Sequence, residues 1–214
     1  YAEAAEAVLC LPDKHPQDRI VSLLNAVEKA NIPIKEIDHR SLKDLTETVA
    51  QQGVVAVTRI PENLELRSLE GNWLYLDQIR DPGNLGTILR TADWFGVANV
   101  ALSPGTADPY NSKVVRSAMG AHFHLRIRTE ATLPPFGSAG YTVLAADSLG
   151  EPMKKNTLLS RDKWCLVMGS EASGISGENR PHIDHFISIP GSGRAESLNV
   201  AVAAGIFLNQ LTRR

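Results

Sequence analysis

Only two cysteines occur in the 214 residues, too few and too far apart for a disulfide scaffold. Cys10 and Cys165 lie in apolar stretches, Val8-Leu9-Cys10-Leu11 and Trp164-Cys165-Leu166-Val167. They read as buried thiols of a protein kept in a reducing, cytoplasmic setting. Charge of one sign is lacking too. The 22 Lys and Arg against 24 Asp and Glu leave a net charge of −2, which excludes a polycationic coat but leaves room for a local basic face. No apolar run approaches the roughly 18 residues that cross a bilayer, so no membrane segment is expected. No basic, apolar leader opens the chain. It begins with Tyr1 rather than Met, and a missing N-terminal piece is expected. What is present, 43% apolar and 21% charged residues, suits a folded chain with a sizeable core in one large domain or two small ones.

The pattern along the chain is α/β. Residues 7–11 read as a strand, and residues 20–30 as a helix with Ile20, Leu23, Leu24 and Val27 on one face. Residues 32–37 read as a second strand. Ser41 and Asp44 resemble a capping box opening a helix over 42–49, and residues 53–57 form a third strand. A polar, proline-marked stretch at 59–65 follows and suggests a linker; the domain division is 1–60, a linker at 61–68, and 69–214. The pattern then restarts. A strand at 73–79, a turn at Asp81-Pro82-Gly83-Asn84, a helix at 85–95 and a strand at 97–102 make one βαβ unit of about 30 residues. Strands are predicted at 123–127, 141–146, 164–168 and 186–189, and a largely apolar helix at 197–211. A two-domain protein follows, its second domain built on a mostly parallel sheet.

Three loops join strand ends to helices and carry most of the Gly, Asn, Ser and acidic residues, at the edge where open α/β sheets bind ligands. They are Asp81-Pro82-Gly83-Asn84-Leu85-Gly86 running on to Arg90-Thr91-Ala92, then Gly169-Ser170-Glu171-Ala172-Ser173-Gly174, then Ile189-Pro190 running on to Glu196-Ser197-Leu198-Asn199-Val200. The common nucleotide fingerprints fail. No G-x-G-x-x-G follows the first strand, and the glycines at 169 and 174 are followed by Ile175 rather than Lys-Ser/Thr. No G-x-S-x-G elbow follows a strand. His122 and His124, predicted on one face of a strand, and His182 and His185 lack the further ligands that complete a site, so no metal is expected.

Taken together, in order and spacing, the three loops resemble the three motifs of the SpoU/TrmH branch of the SPOUT RNA methyltransferases. The resemblance runs from about Trp73 to the C-terminus. The first 60 residues resemble the ribosomal-protein-L30-like substrate-binding domain that often precedes that catalytic domain, with its start missing; Gln51-Gln52-Gly53-Val54-Val55-Ala56 matches its closing strand. The resemblance implies an S-adenosylmethionine-dependent ribose 2′-O-methyltransferase acting on rRNA or tRNA, a homodimer, and a C-terminal trefoil knot. Topology rules would not have suggested the knot, since they count knots as essentially absent. Two rivals stand beside this reading, a non-catalytic RNA-binding protein that keeps the fold and a SPOUT enzyme with a different methyl-transfer target.

The resemblance marks Arg90, Asn84, Glu171, Ser197 and Asn199 as catalytic. Arg90 is otherwise a solvated helix arginine. Its guanidinium suits bidentate hydrogen bonding to an RNA phosphate, and an electrostatic role is favoured over the base role the family is often given, because arginine does not deprotonate in proteins. Asn84 doubles as a candidate helix cap. Glu171 is expected to partner Arg90 or Asn199, and Ser197 either caps the last helix or touches RNA or the arginine. Ala146, Gly169, Ser170, Ile189, Pro190, Leu198 and Asn199 are expected to line the cofactor site, with Gly169 admitting the adenosyl group and Ile189 and Leu198 walling the adenine. Lys113, Arg116, Arg126 and Arg128, with Tyr110 and His122 nearby, are either a solvated charged face or a phosphate track.

Overall fold

The structure, a computed structural model, describes residues 5–11, 18–45, 53–62, 70–153 and 163–213, without the side chains of 18 and 19. The chain divides into two compact units, Tyr1–Glu62 and Asn63–Arg214.

The first unit holds strand β1 (Ala5–Cys10), helix α1 (Asp18–Lys29), strand β2 (Ile34–Glu36), helix α2 (His39–Leu45) and strand β3 (Val54–Thr58). The sheet order is β2-β1-β3, with β1 parallel to β2 and antiparallel to β3. Val8, Cys10, Leu11, Val27 and Leu42 form its small core. The expected capping box runs the other way: the Asp38 carboxylate accepts from the Ser41 N–H at 2.8 Å and from its hydroxyl at 3.2 Å. Asp38 therefore opens α2, and the predicted helix end at 46–49 lies outside the described residues.

The second unit runs β4 (Trp73–Asp77), α3 (Pro82–Trp94), β5 (Asn99–Leu102), α4 (Ser112–Ala118), β6 (Arg126–Arg128), α5 (Pro134–Ser138), β7 (Thr142–Pro152), β8 (Trp164–Gly169), β9 (His185–Ser188) and α6 (Val200–Thr212). Its six strands lie in the order β6-β5-β4-β8-β7-β9, and every pairing is parallel. Both faces are covered, as near-continuous apolar strands require. One face packs Leu74, Leu76, Val100 and Leu166 against α3, α4 and α6. The other packs Trp73, Tyr75, Val143 and Val167 around Phe136. Gly86 of α3 lies so close to α4 that a Cβ there would overlap the Ser117 hydroxyl and the Val114 carbonyl, so the two helices meet through a missing side chain. The Cys10 and Cys165 thiols are both buried, and desolvation pushes both up.

Several boundaries differ from the sequence expectation. Helix α3 begins three residues earlier than predicted. Asp81 is its N-cap, accepting from the Asn84 N–H at 2.7 Å, with Pro82 in the first turn where its missing N–H is harmless. The predicted strand at 123–127 shrinks to Arg126–Arg128, because Ala121–Phe123 forms a 3-10 turn. His122 and His124 are thus not strand neighbours. The first bonds the Pro109 carbonyl at 2.7 Å and the second the Asp93 carboxylate at 2.9 Å. Helix α6 begins at Val200 rather than Ser197 and is capped by Asn199. Its apolar character is absorbed mainly within the chain, since Val200, Ala201, Ala204, Phe207, Leu208 and Leu211 are buried.

Candidate functional site

Strands β4, β5 and β6 step outward in one direction and β7, β8 and β9 occupy the other side, so the sheet order reverses between β4 and β8. In open parallel sheets that reversal opens a crevice at the C-terminal strand ends. Here the two ends are in register, Asp77 opposite Gly169. The β4 end leads to α3, and the β8 end leads to a short excursion closed by an antiparallel bridge. In that bridge the Ser170 N–H donates to the Gly174 carbonyl at 3.1 Å, and the Gly174 N–H returns to the Ser170 carbonyl at 2.9 Å. The Ser170 and Ser173 hydroxyls, 2.7 Å apart, brace it further.

Glu171 projects from this excursion and gathers the other two loops. Its Oε1 accepts from Asn84 Nδ2 at 3.0 Å, from Asn199 Nδ2 at 2.8 Å and from the Val200 N–H at 3.3 Å. Asn199 Nδ2 also donates to Asn84 Oδ1 at 3.0 Å, while Asn199 Oδ1 accepts from the Ala201 and Val202 N–H groups. One carboxylate oxygen thus sits at the N-terminus of α6, where free N–H groups and the helix dipole favour negative charge. The two asparagine side chains close a three-residue ring with it. Three segments up to 115 residues apart meet here.

The structure brings together Asn84, Glu171 and Asn199, and leaves other candidates outside that ring. Asn84 is not a cap, since Asp81 takes that role, so its side chain is free for Glu171. Glu171 partners Asn199 and Asn84 rather than Arg90. Ser197 does not cap α6; it is exposed on the loop before Asn199. Arg90 is exposed and has no hydrogen-bond or ion-pair partner among the described residues. Six residues of helix turn it about 120° from Asn84 and carry it about 9 Å along the axis, onto the stripe of α3 that also exposes Thr87 and Trp94.

Gly169 and Ser170 lie at the C-terminal end of β8 and Ile189 and Pro190 just beyond β9, whereas Ala146 lies within β7, where its register with β9 shifts, and Leu198 lies just before α6. Ala146 and Ile189 are half-buried, Pro190 is exposed, and Leu198 is 47% exposed. Gly169 has a reason closer than a ligand: a Cβ there would overlap the backbone of Gly174 and Ile175. The close approach that it permits is that of the chain to itself. Gly169→Val should therefore open the excursion that carries Glu171 and weaken S-adenosylmethionine binding at least tenfold, about 1.4 kcal/mol, as read by calorimetric titration. Wild-type affinity in a folded variant would refute this.

The four basic candidates do not form one cluster on one face. Lys113 and Arg116 belong to α4, whose Val114 and Ala118 pack on the α3 side of the sheet. On edge strand β6, Ile127 points to that same side, so the alternation of a strand sends Arg126 and Arg128 to the opposite one. The Tyr110 and His122 rings lie 5.7 Å apart between centroids, tilted by 42°. A separate cavity of about 260 Å³ lies at the ends of β5 and β6, lined by Ser103, Thr106, Asp108, Thr129 and Glu130 among others; none of these belongs to the three loops. Sequence reasoning missed Asp77 and Asp81. The signal for Asp77 was an acid ending the apolar run Trp73-Leu74-Tyr75-Leu76, and for Asp81 an acid directly before proline.

A parallel sheet that reverses between β4 and β8, with Asn, Glu and Asn ringed at the reversal, defines a class that comparison with known proteins identifies. The chain belongs to the SpoU rRNA Methylase family, whose family model matches residues 71–209. A second family model, RNA 2'-O ribose methyltransferase substrate binding, matches residues 3–64. Among relatives, the chain is 37% identical over 172 residues to the 23S rRNA (guanosine(2553)-2'-O)-methyltransferase RlmP of Bacillus subtilis (strain 168), covering 78% of this chain and 67% of that protein. It is 29% identical over 212 residues to the 23S rRNA (guanosine-2'-O-)-methyltransferase RlmB of Vibrio parahaemolyticus, covering 92% and 84%. Among solved structures, the SpoU methyltransferase AviRb from Streptomyces viridochromogenes in complex with AdoMet is 25% identical with a TM-score of 0.82, covering 97% of this chain and 82% of that one. The chain spans between about half and two thirds of the length of several curated relatives that it matches. No helix among the described residues is long and apolar enough to cross a membrane.

Proposed function

We propose that this protein transfers the methyl group of S-adenosylmethionine to a ribose 2′-hydroxyl in structured RNA, with rRNA the substrate class. The observation that carries the reading is the Asn84–Glu171–Asn199 ring, which ties the three family motifs together at the sheet reversal. The naming of two relatives as 23S rRNA 2'-O-methyltransferases supports rRNA over tRNA.

The residues present fit the cofactor. Ile189, just beyond β9, and Leu198, just before α6, leave apolar surface uncovered, the kind of wall that adenosyl groups use. Ala146, Gly169, Ser170, Pro190 and Asn199 complete that wall. When bound, S-adenosylmethionine supplies an electrophilic methyl on a sulfonium. The chain's own part is to hold the RNA and ease loss of the 2′-hydroxyl proton. Arg90, charged and unpaired among the described residues, grips a phosphate or ribose oxygen in this reading and stabilises developing negative charge, with the proton leaving to phosphate or water. Glu171 fixes Asn84 and Asn199, and Ser197, exposed on the loop before Asn199, contacts RNA.

Residues 1–60 form the L30-like substrate-binding domain in this reading, with residues 61–68 as linker and 69–214 as catalytic domain. Lys113 and Arg116 on one side of the sheet, and Arg126 and Arg128 on the other, give RNA backbone two surfaces rather than one track. The reading also carries a cytoplasmic setting, a C-terminal trefoil knot and a homodimer, the last supported by exposed Val202 and Leu198 at the start of α6.

Mapping of 2′-O-methylated riboses across rRNA and tRNA, with and without the protein, tests the proposal. The expected result is the loss of one or a few rRNA methylations in a strain lacking the protein, restored by purified protein with S-adenosylmethionine. An unchanged map together with inactive purified protein would sink it.

A further inference from the structure

Asp77 ends β4 with a side chain only 1% exposed. Its Oδ2 accepts from the Ser176 backbone N–H at 2.7 Å, while Oδ1 is buried with no hydrogen-bond partner among the described residues. An unsatisfied buried carboxylate oxygen costs stability. An apolar side chain continuing Trp73-Leu74-Tyr75-Leu76 would avoid that cost. A buried polar orphan of this kind needs a reason other than stability.

The reason lies in what the bonded oxygen holds. Ser176 ends the excursion that leaves β8 at Gly169. Within it Ser170 and Gly174 are bridged, and Ile175 is 3% exposed. The excursion is thus fixed at one end by the pairing of Gly169 with Asp77 itself and at the other by the Asp77 carboxylate. Glu171 projects from between these two fixed points. Four residues further along the chain, Asp81 Oδ1 accepts from the Asn84 N–H. Two aspartates at opposite ends of one short loop therefore fix the two partners of the Asn84–Glu171 hydrogen bond, which are 87 residues apart in sequence.

We propose that Asp77 is a positioning residue for methyl transfer, acting through the excursion that carries Glu171. The inference rests on the reaction proposed above.

The test compares Asp77→Ala and Asp77→Asn, each alone and combined with Glu171→Ala, in the full chain. Asparagine keeps an acceptor for the Ser176 N–H and alanine does not. Asp77→Ala should lower kcat about tenfold or more while changing the RNA KM less than about threefold, and Asp77→Asn should recover most of the loss. Because Asp77 acts through Glu171, adding Asp77→Ala to Glu171→Ala should cost less than about twofold more. Amide hydrogen exchange over residues 170–176 should quicken in Asp77→Ala and not in Asp77→Asn, with β4 and β8 still protected. Full additivity with Glu171→Ala, or wild-type exchange in that segment, would overturn the proposal. If Asp77→Ala does not fold, Asp77→Asn decides: wild-type exchange and turnover support the assignment, and a folded variant with lost turnover overturns it. A wild-type protein that methylates no RNA would overturn the reaction itself, and the exchange comparison would still decide the role of Asp77.

Discussion

Arg90→Ala is expected to lower single-turnover methyl transfer about 10²–10³-fold, the usual cost of removing one donor aimed at developing charge, while S-adenosylmethionine affinity and the thermal midpoint stay near wild type. The separation follows from where Arg90 sits. It is exposed on α3 with no partner among the described residues, so truncating it breaks no ion pair and leaves no buried charge. Surface changes of this kind usually fall within about 0.5 kcal/mol. Arg90→Lys keeps the charge but loses the planar two-pronged donor and should recover little activity. Turnover, cofactor affinity and melting measured on one preparation decide the matter. Wild-type turnover in Arg90→Ala would remove it from the reaction, and a steep fall in melting temperature would make it a structural residue instead.

What could be read from the sequence was local. Trp73-Leu74-Tyr75-Leu76 and Trp164-Cys165-Leu166-Val167 are apolar on every position because β4 and β8 are central and covered on both faces. The βαβ unit between β4 and β5 is likewise written in its periodicity. The ring at the site is not, since it joins residues 28, 87 and 115 positions apart, and only the strand order brings them together. Resemblance picked out the members, and the structure supplied their partners. The helix caps differ from the sequence expectation for another reason. Asn84 and Ser197 are both good cap residues, but Asp81 before Pro82, and Asn199, compete for the same ends and win. The short helices α4 and α5, seven and five residues long, are too brief to show a period. The basic residues are close in sequence, which suggests a single group. A helix face and an alternating edge strand then sent them to two sides of the sheet.

Glu171→Ala is expected to be the second large effect, a loss of about 10–10²-fold in methyl transfer, the scale on which small misplacements of reacting groups act. Its effect on stability should be smaller, about 1–2 kcal/mol. Oε1 accepts three N–H donors, but Glu171 and Asn199 are exposed, so water takes up much of what the carboxylate releases. Glu171→Gln separates geometry from charge. Its amide oxygen can receive the Asn84, Asn199 and Val200 donors in place of Oε1, so stability should return to within about 1 kcal/mol of wild type. The favourable term between a carboxylate and the α6 N-terminus, about 0.3–1 kcal/mol at an exposed site, is lost in both variants. If Glu171 acts by holding Asn84 and Asn199, Glu171→Gln should keep most of the turnover that Glu171→Ala loses. The two asparagines should mirror it, because Asn84→Ala and Asn199→Ala each remove one side of the same ring and should add little to Glu171→Ala. Equal, severe losses in Glu171→Ala and Glu171→Gln, with both proteins melting like wild type, would show that the negative charge acts on the substrate directly and that the ring is secondary.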